Sequence, residues 1–150
     1  MKGTYTILIV CKKPFMTRIG KLGYVNVERG FYLYTGSALG KGAVSLEGRL
    51  NRHFRASKKR RWHVDYLTSN PKCAANVAVY VKSERHLECS VNQAIARALN
   101  VEVLLPHAGS SDCRCQSHLT RVMSLTSERG ISRVLTSVYG RFGKPMRVAR

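Results

Sequence analysis

Residues 4–12, Thr-Tyr-Thr-Ile-Leu-Ile-Val-Cys-Lys, form a run of β-branched and aromatic residues with the composition of a strand. Alternation puts Tyr5 on the same face as Ile7 and Ile9. Outward from this run come Pro14, Gly20, Gly23 and Gly30, and then Phe-Tyr-Leu-Tyr-Thr-Gly at 31–36, which reads as a second strand. The economical reading is a hairpin with a long, irregular connection. Ser-Ala-Leu-Gly-Lys-Gly (37–42) holds two glycines and reads as a loop. Residues 75–82, Ala-Asn-Val-Ala-Val-Tyr-Val-Lys, alternate apolar and polar and predict a third strand.

Helical spacing begins at Ser45, where Leu46, Leu50 and Phe54 recur every four residues up to about Ser57. On a wheel of about 100° per residue, Arg49 and His53 fall at the edge of that buried arc, stacked as a cationic pair. A boundary arginine with a satisfied histidine is the plainer alternative for this pair. A second helical period covers 86–99 through Leu87, Val91, Ala94, Ile95, Ala98 and Leu99. Glu88 lands at about 100°, inside its apolar arc. A carboxylate there is costly unless it meets a cation, a metal or hydrogen-bond donors. Otherwise it is a first-turn glutamate favoured by the helix dipole. Trp-His-Val-Asp-Tyr-Leu (62–67) is a short element of undetermined type. Residues 120–150 carry seven basic side chains and only Glu128, and read as a helical stretch followed by a basic, Gly-rich tail. Strand, strand, helix, strand, helix makes a small α+β domain, with a domain over 1–119 and a basic C-terminal extension over 120–150.

The chain has 150 residues, with Lys+Arg 26 against Asp+Glu 8 and a formal net charge of +18. Such self-repulsion points to a polyanionic partner, nucleic acid first. An anionic membrane fits less well, because no basic amphipathic helix of the membrane-surface kind stands out, and no apolar run approaches the roughly 18 residues of a spanning helix. Ile7 to Cys11 is too short for a signal-peptide core. The five cysteines offer no even disulfide framework, so thiols or metal ligands are expected rather than staples, in a reducing compartment. The expected location is cytoplasmic, at the nucleoid.

Gly3-Thr4-Tyr5 opening one strand, Tyr34-Thr35-Gly36 in the next, Arg49-x-x-x-His53 on the following helix and Glu88 on a later one together resemble the GIY-YIG nuclease superfamily. The likeness runs from Gly3 to about Leu99. Trp62-His63, Glu88-Cys89 and Ser110-Ser111-Asp112-Cys113-x-Cys115-x-Ser117-His118-Leu119 resemble a largely uncharacterised, mainly archaeal branch of it. Two departures stand out: the hairpin connection is long, and Thr4 and Thr35 occupy positions where the eponymous motifs carry isoleucine in a structural role. The resemblance implies a small three-stranded antiparallel sheet flanked by helices, and hydrolysis of phosphodiesters with one divalent metal.

By that resemblance Glu88 holds Mg²⁺ or Mn²⁺, a hard carboxylate for a hard ion. Tyr5 takes or relays the proton of the attacking water, which requires a neighbouring cation or metal to lower its pKa. Arg49 clamps the scissile phosphate in a bidentate fork. Tyr34 and His53 bond the phosphate or assist the relay, and His63 stands where some members carry a further histidine. Family members also place a late polar residue near the metal, for which Asn92 and Asn100 are candidates. Arg52, Arg55, Lys58, Lys59, Arg60 and Arg61 read as a solvated, phosphate-attracting surface, and Ser111 as a backbone contact. Cys89, Cys113, Cys115 and His118 supply soft ligands that suit a structural Zn²⁺, although Cys-x-Cys is tighter than the usual knuckle. The alternative is a tight turn with Asp112 and Ser117 as helix caps. The expected activity is a metal-dependent DNA endonuclease, selective for structure or damage in repair or recombination. The rival is a non-catalytic module for DNA or RNA that keeps the fold.

Overall fold

β1 (Gly3–Cys11) lies in the middle of the sheet because both of its faces are apolar enough to be covered, and every residue from Gly3 to Ile9 is buried. The structure is a computed structural model and describes residues 1–108, 115, 117–124 and 127–150. The other strands are β2 (Phe15–Arg18), β3 (Tyr24–Val27), β4 (Gly30–Ala38), β5 (Cys73–Lys82), β6 (Val101–Val103), β7 (Leu119–Val122) and β8 (Met146–Ala149). The helices are α1 (Leu46–Phe54), α2 (Asp65–Thr68), α3 (Glu88–Ala98) and α4 (Glu128–Tyr139). The class is α+β, as expected. The sheet, however, has six strands in the order β6-β7-β4-β1-β5-β8, every pair antiparallel.

The small three-stranded sheet is therefore corrected. The three expected strands are its centre, β4-β1-β5, and three short strands widen it. Those three run only three or four residues each, too short for a readable alternation. The division at 119/120 falls inside β7. The long connection after β1 contains a hairpin of its own, β2 against β3.

Three layers result. Tyr5, Ile7, Ile9 and Cys11 share one core with Leu46 and Leu50 of α1 and with Val64 and Leu67 around α2. Leu8, Leu33, Val77 and Val79 share the other with Val91 and Ile95 of α3 and Ile131 and Leu135 of α4. Each such side chain contributes about 1.5–3 kcal/mol by leaving water. Thr6 is one of several polar residues buried in this largely apolar layer. Its hydroxyl meets Thr35 Oγ1 at 2.8 Å and the Tyr139 hydroxyl at 2.7 Å, which satisfies buried polar groups that would otherwise be costly.

The register of β1 against β5 steps between Leu8 and Ile9, from Leu8↔Val77 to Ile9↔Ala75. Asn76 is the extra residue of this bulge, and its amide donates to Glu128 Oε1 at 2.9 Å at the start of α4. Beyond the bulge Cys11 faces Cys73 directly. Their Cα atoms are 4.1 Å apart and the two are joined as a disulfide. This corrects the expectation of thiols without staples, because an odd cysteine count carries no information on cross-strand register.

Ser45 caps α1 by accepting from the Gly48 N–H. Lys58 Nζ donates to the carbonyls of Arg52 and His53 at 2.9 and 3.1 Å, which meets acceptors left open at the helix end. Burial lowers the pKa of Lys58 to about 8. The helix stops at Phe54, short of the expected Ser57. No helix among the described residues is long and apolar enough to cross a membrane.

Candidate active site

Tyr5 faces Gly36 across the β1–β4 ladder, and Tyr34 pairs with Ile7, so the two tyrosines share the α1 side of the sheet with ring centroids 6.4 Å apart. α1 sets His53 between them. Its Nε2 lies 2.8 Å from the Tyr5 hydroxyl, and its ring centre lies 5.3 Å from Tyr5 and 5.6 Å from Tyr34. Gly36 makes room for this arrangement, because a Cβ there would stand 2.6 Å from the Tyr5 oxygen. Gly3 has a parallel reason, since a Cβ would drive into the Val81 carbonyl. The glycines of both motifs are thus steric requirements of the tyrosines and strands beside them.

Burial sets the protonation of this group. Tyr5 is 0% exposed, and loss of water pushes its pKa well above the usual phenol value, with the Arg49 guanidinium pulling more weakly the other way. Tyr34 is raised for the same reason. His53 is pushed down to about 3, first by burial and then by the Lys58 charge. Tyr5 is therefore a hydroxyl and His53 a neutral imidazole at neutral pH. His53 Nδ1 is buried with no partner among the described residues. The tyrosine–histidine pair is an uncharged unit beneath the surface.

What reaches the surface is Arg49. The arginine lies 5.0 Å from the centre of the Trp62 ring, and Trp62 in turn packs against His53 at 5.5 Å. An open groove beside it is lined by Ser37, Leu39, Gly40, Val44, Arg49, His86 and Glu88. Arg49 Nε and Ser37 Oγ are buried there and have no hydrogen-bond partner among the described residues. Sequence reasoning misses Ser37 and His86, and it notes Trp62 only as the neighbour of His63, without a role. Ser37 immediately follows the Tyr-Thr-Gly motif, the one signal that could have drawn attention to it.

Glu88 opens α3 with its side chain 28% exposed. Its Oε1 lies 2.7 Å from His118 Nδ1, a partner thirty residues away that offsets part of the cost of its place in the apolar arc. His118 Nε2 lies 3.8 Å from Cys89 Sγ. Ligand atoms of Cys89, Cys115 and His118 all fall within 4.8 Å of one another, so the structure assembles three members of the expected soft-ligand set. Cys113, Ser111 and Asp112 lie outside the described residues. Asn92 donates to the Ser117 carbonyl at 2.9 Å, and Asn100 sits beyond the end of α3, its N–H directed to Ser124 Oγ. Neither lines the groove.

The basic residues divide. Arg55, Lys59, Arg60 and Arg61 are exposed. Arg52 is turned inward: Nη2 bonds Asp65 Oδ2 at 2.5 Å and the Lys59 carbonyl at 2.6 Å, and the guanidinium stacks 4.6 Å from the Trp62 ring centre. Asp65 is 0% exposed and also accepts from the N–H groups of Arg61 and Trp62. Arg52 and Lys58 thus fasten the end of α1, and the solvated surface is the remaining four. His63 stands in the turn before α2, half-buried, with its pKa lowered by that burial.

A family model described as a domain of unknown function, DUF123, matches residues 4–139, from β1 to the end of α4. The chain belongs to the DUF123 family. The match takes in every element that contributes to the groove and to the Cys/His cluster, and leaves β8 of this DUF123 domain outside it. No curated protein and no solved structure matches the chain.

Proposed function

We propose that this DUF123 domain is a metal-dependent phosphodiesterase of GIY-YIG type that cuts nucleic acid internally, with DNA as the favoured substrate and a structured or damaged site as its target. The observation that carries the reading is the pairing of Arg49 and Glu88 in one groove, with Tyr5, Tyr34 and His53 packed directly beneath. Phosphodiester hydrolysis needs a cation for the non-bridging oxygens, an activated water and a stabilised leaving oxygen. The guanidinium of Arg49, which lines the groove, would take the phosphate oxygens. Glu88 offers one partly exposed carboxylate, the donor that Mg²⁺ or Mn²⁺ accepts alongside water and substrate oxygens. Such an ion supplies positive charge to the phosphoryl group and acidifies a bound water.

The burial of Tyr5 revises its role. As a neutral hydroxyl bonded to His53, it works as an orienting and proton-passing group under the groove rather than as a resting phenolate base. The net charge of +18 supplies affinity for the backbone without sequence preference, in keeping with selection of a structure in repair or recombination. Zero exposure of Tyr5 also supports a second reading, a nucleic-acid-binding module without cleavage, because water does not reach the hydroxyl in this conformation.

Supercoiled plasmid and a branched duplex, each with Mg²⁺, Mn²⁺ or EDTA, separate the two readings. The nuclease cuts with either metal, and Arg49→Ala lowers the rate by about 10²-fold or more while Glu88→Ala abolishes it, both retaining binding. Binding without cleavage on DNA and RNA alike establishes the module. Cleavage that persists in Glu88→Ala removes Glu88 from the reaction.

A further inference from the structure

Apart from the groove, one cluster of side chains among the described residues has the geometry of a ligand set. Cys89 is the second residue of α3, and Cys115 and His118 lie just before and beside the start of β7, so the cluster ties a helix to the lead-in of a strand some thirty residues on. Cys115 and His118 are 8% and 2% exposed. Around tetrahedral zinc, bonds of about 2.3 Å to sulfur and 2.0–2.1 Å to nitrogen put neighbouring ligand atoms roughly 3.6–3.8 Å apart. Cys89 Sγ and His118 Nε2 stand at 3.8 Å, and the whole set spans no more than 4.8 Å. A small inward movement of one side chain completes three edges of a tetrahedron.

The orientation of His118 is the second, independent sign. Its Nδ1 faces Glu88 Oε1 at 2.7 Å. A carboxylate there accepts a hydrogen bond from Nδ1–H, which keeps the proton on Nδ1 and leaves the Nε2 lone pair facing the cysteine sulfurs. This carboxylate–histidine arrangement is how proteins fix the tautomer of a metal-bound imidazole and raise its basicity. Two thiolates and one imidazole are soft and borderline ligands, which select zinc over the hard ions proposed for the groove.

We propose that Cys89, Cys115 and His118 bind one zinc ion, with Glu88 as the positioning carboxylate of His118, so that the ion clamps Cys115 and His118 to α3 and fixes the carboxylate that faces the groove. This site does not depend on the nuclease reading, since a module that only binds nucleic acid would need the same clamp.

The test reads metal, not cleavage. The full chain, purified anaerobically without chelator, is expected to carry one zinc per molecule by elemental analysis. Cys115→Ser and His118→Ala lose it. Glu88→Gln keeps zinc but with affinity about 10–100-fold weaker in competition with a chelating dye. Cobalt(II) added to the metal-free wild type gives a thiolate-to-cobalt charge-transfer band and the visible bands of a tetrahedral site, which decides the matter even where a variant fails to fold. Absence of both stoichiometric zinc and the thiolate band overturns the proposal. So does zinc retained in Cys115→Ser and His118→Ala, or a Cys89–Cys115 disulfide found by mass spectrometry in the anaerobic protein.

Discussion

His53 shows how one side chain couples the site to the stability of the chain. It binds a proton near pH 6.5 when unfolded but only near about 3 when folded. Between those values the unfolded state carries more protons, so stability is full above about pH 6.5 and falls as the pH drops through the window. The expected slope approaches ~1.4 kcal/mol per pH unit, with half-buried His63 adding a smaller share in the same direction. Denaturant titrations at several pH values check this, and His53→Gln should flatten the curve between about pH 6.5 and 4.5. A slope unchanged in that variant means that His53 is not held neutral by its surroundings. At this scale much is legible in the sequence. A four-residue spacing draws attention to Arg49 and His53 and a misplaced charge to Glu88, but the roles proposed for them come from the family resemblance and not from those patterns. What joins Glu88 to His118 cannot, because the two are brought together only by the packing of α3 against the start of β7, and neither residue's local pattern encodes the other.

At the scale of elements, the β-branched run of β1 and the periodicities of α1 and α3 are strong enough to read in isolation, since each buries a long apolar face. The edge strands and the β2–β3 hairpin are not, because four residues give at most two positions per face. Cross-strand register is likewise silent in the sequence, and with it the Cys11–Cys73 pairing. That disulfide closes a loop of sequence separation 62, which by chain-entropy reasoning stabilises the fold by about 4 kcal/mol. Cys73→Ser is expected to lower the unfolding free energy by roughly 2–4 kcal/mol, read as a fall in the urea midpoint with a steeper slope, because the unfolded chain without the bridge is less compact. An unchanged midpoint would show that the bridge does not form in the folded protein. Asp65 offers a second check on how the end of α1 is held. Removing its carboxylate strands Arg52 beside Trp62, and Asp65→Ala should cost about 3 kcal/mol or more by the same measurement.

Across the whole molecule, the excess of positive charge is divided between residues that hold the structure and residues that face solvent. On the proposed nucleic-acid reading, the solvent-facing group, Arg55, Lys59, Arg60 and Arg61, governs the ionic response of binding. Replacing all four by glutamine is expected to lower the slope of log affinity against log salt by up to about 0.9 for each duplex phosphate that these side chains neutralise, equally for all sequences. Replacing Arg52 should instead show up in unfolding experiments. The far edge of the sheet has a different consequence. β8 pairs with residues 77–80 of β5, and Arg147 Nε is pinned to Ser132 Oγ of α4 at 3.0 Å. Without β8, one of the longest and most apolar strands would present a bare row of amides and carbonyls, the template on which chains add to one another. β8 therefore acts as a guard against self-association, a short arginine-bearing strip that occupies the adhesive edge of β5 and turns a charged, unwelcoming border to its neighbours.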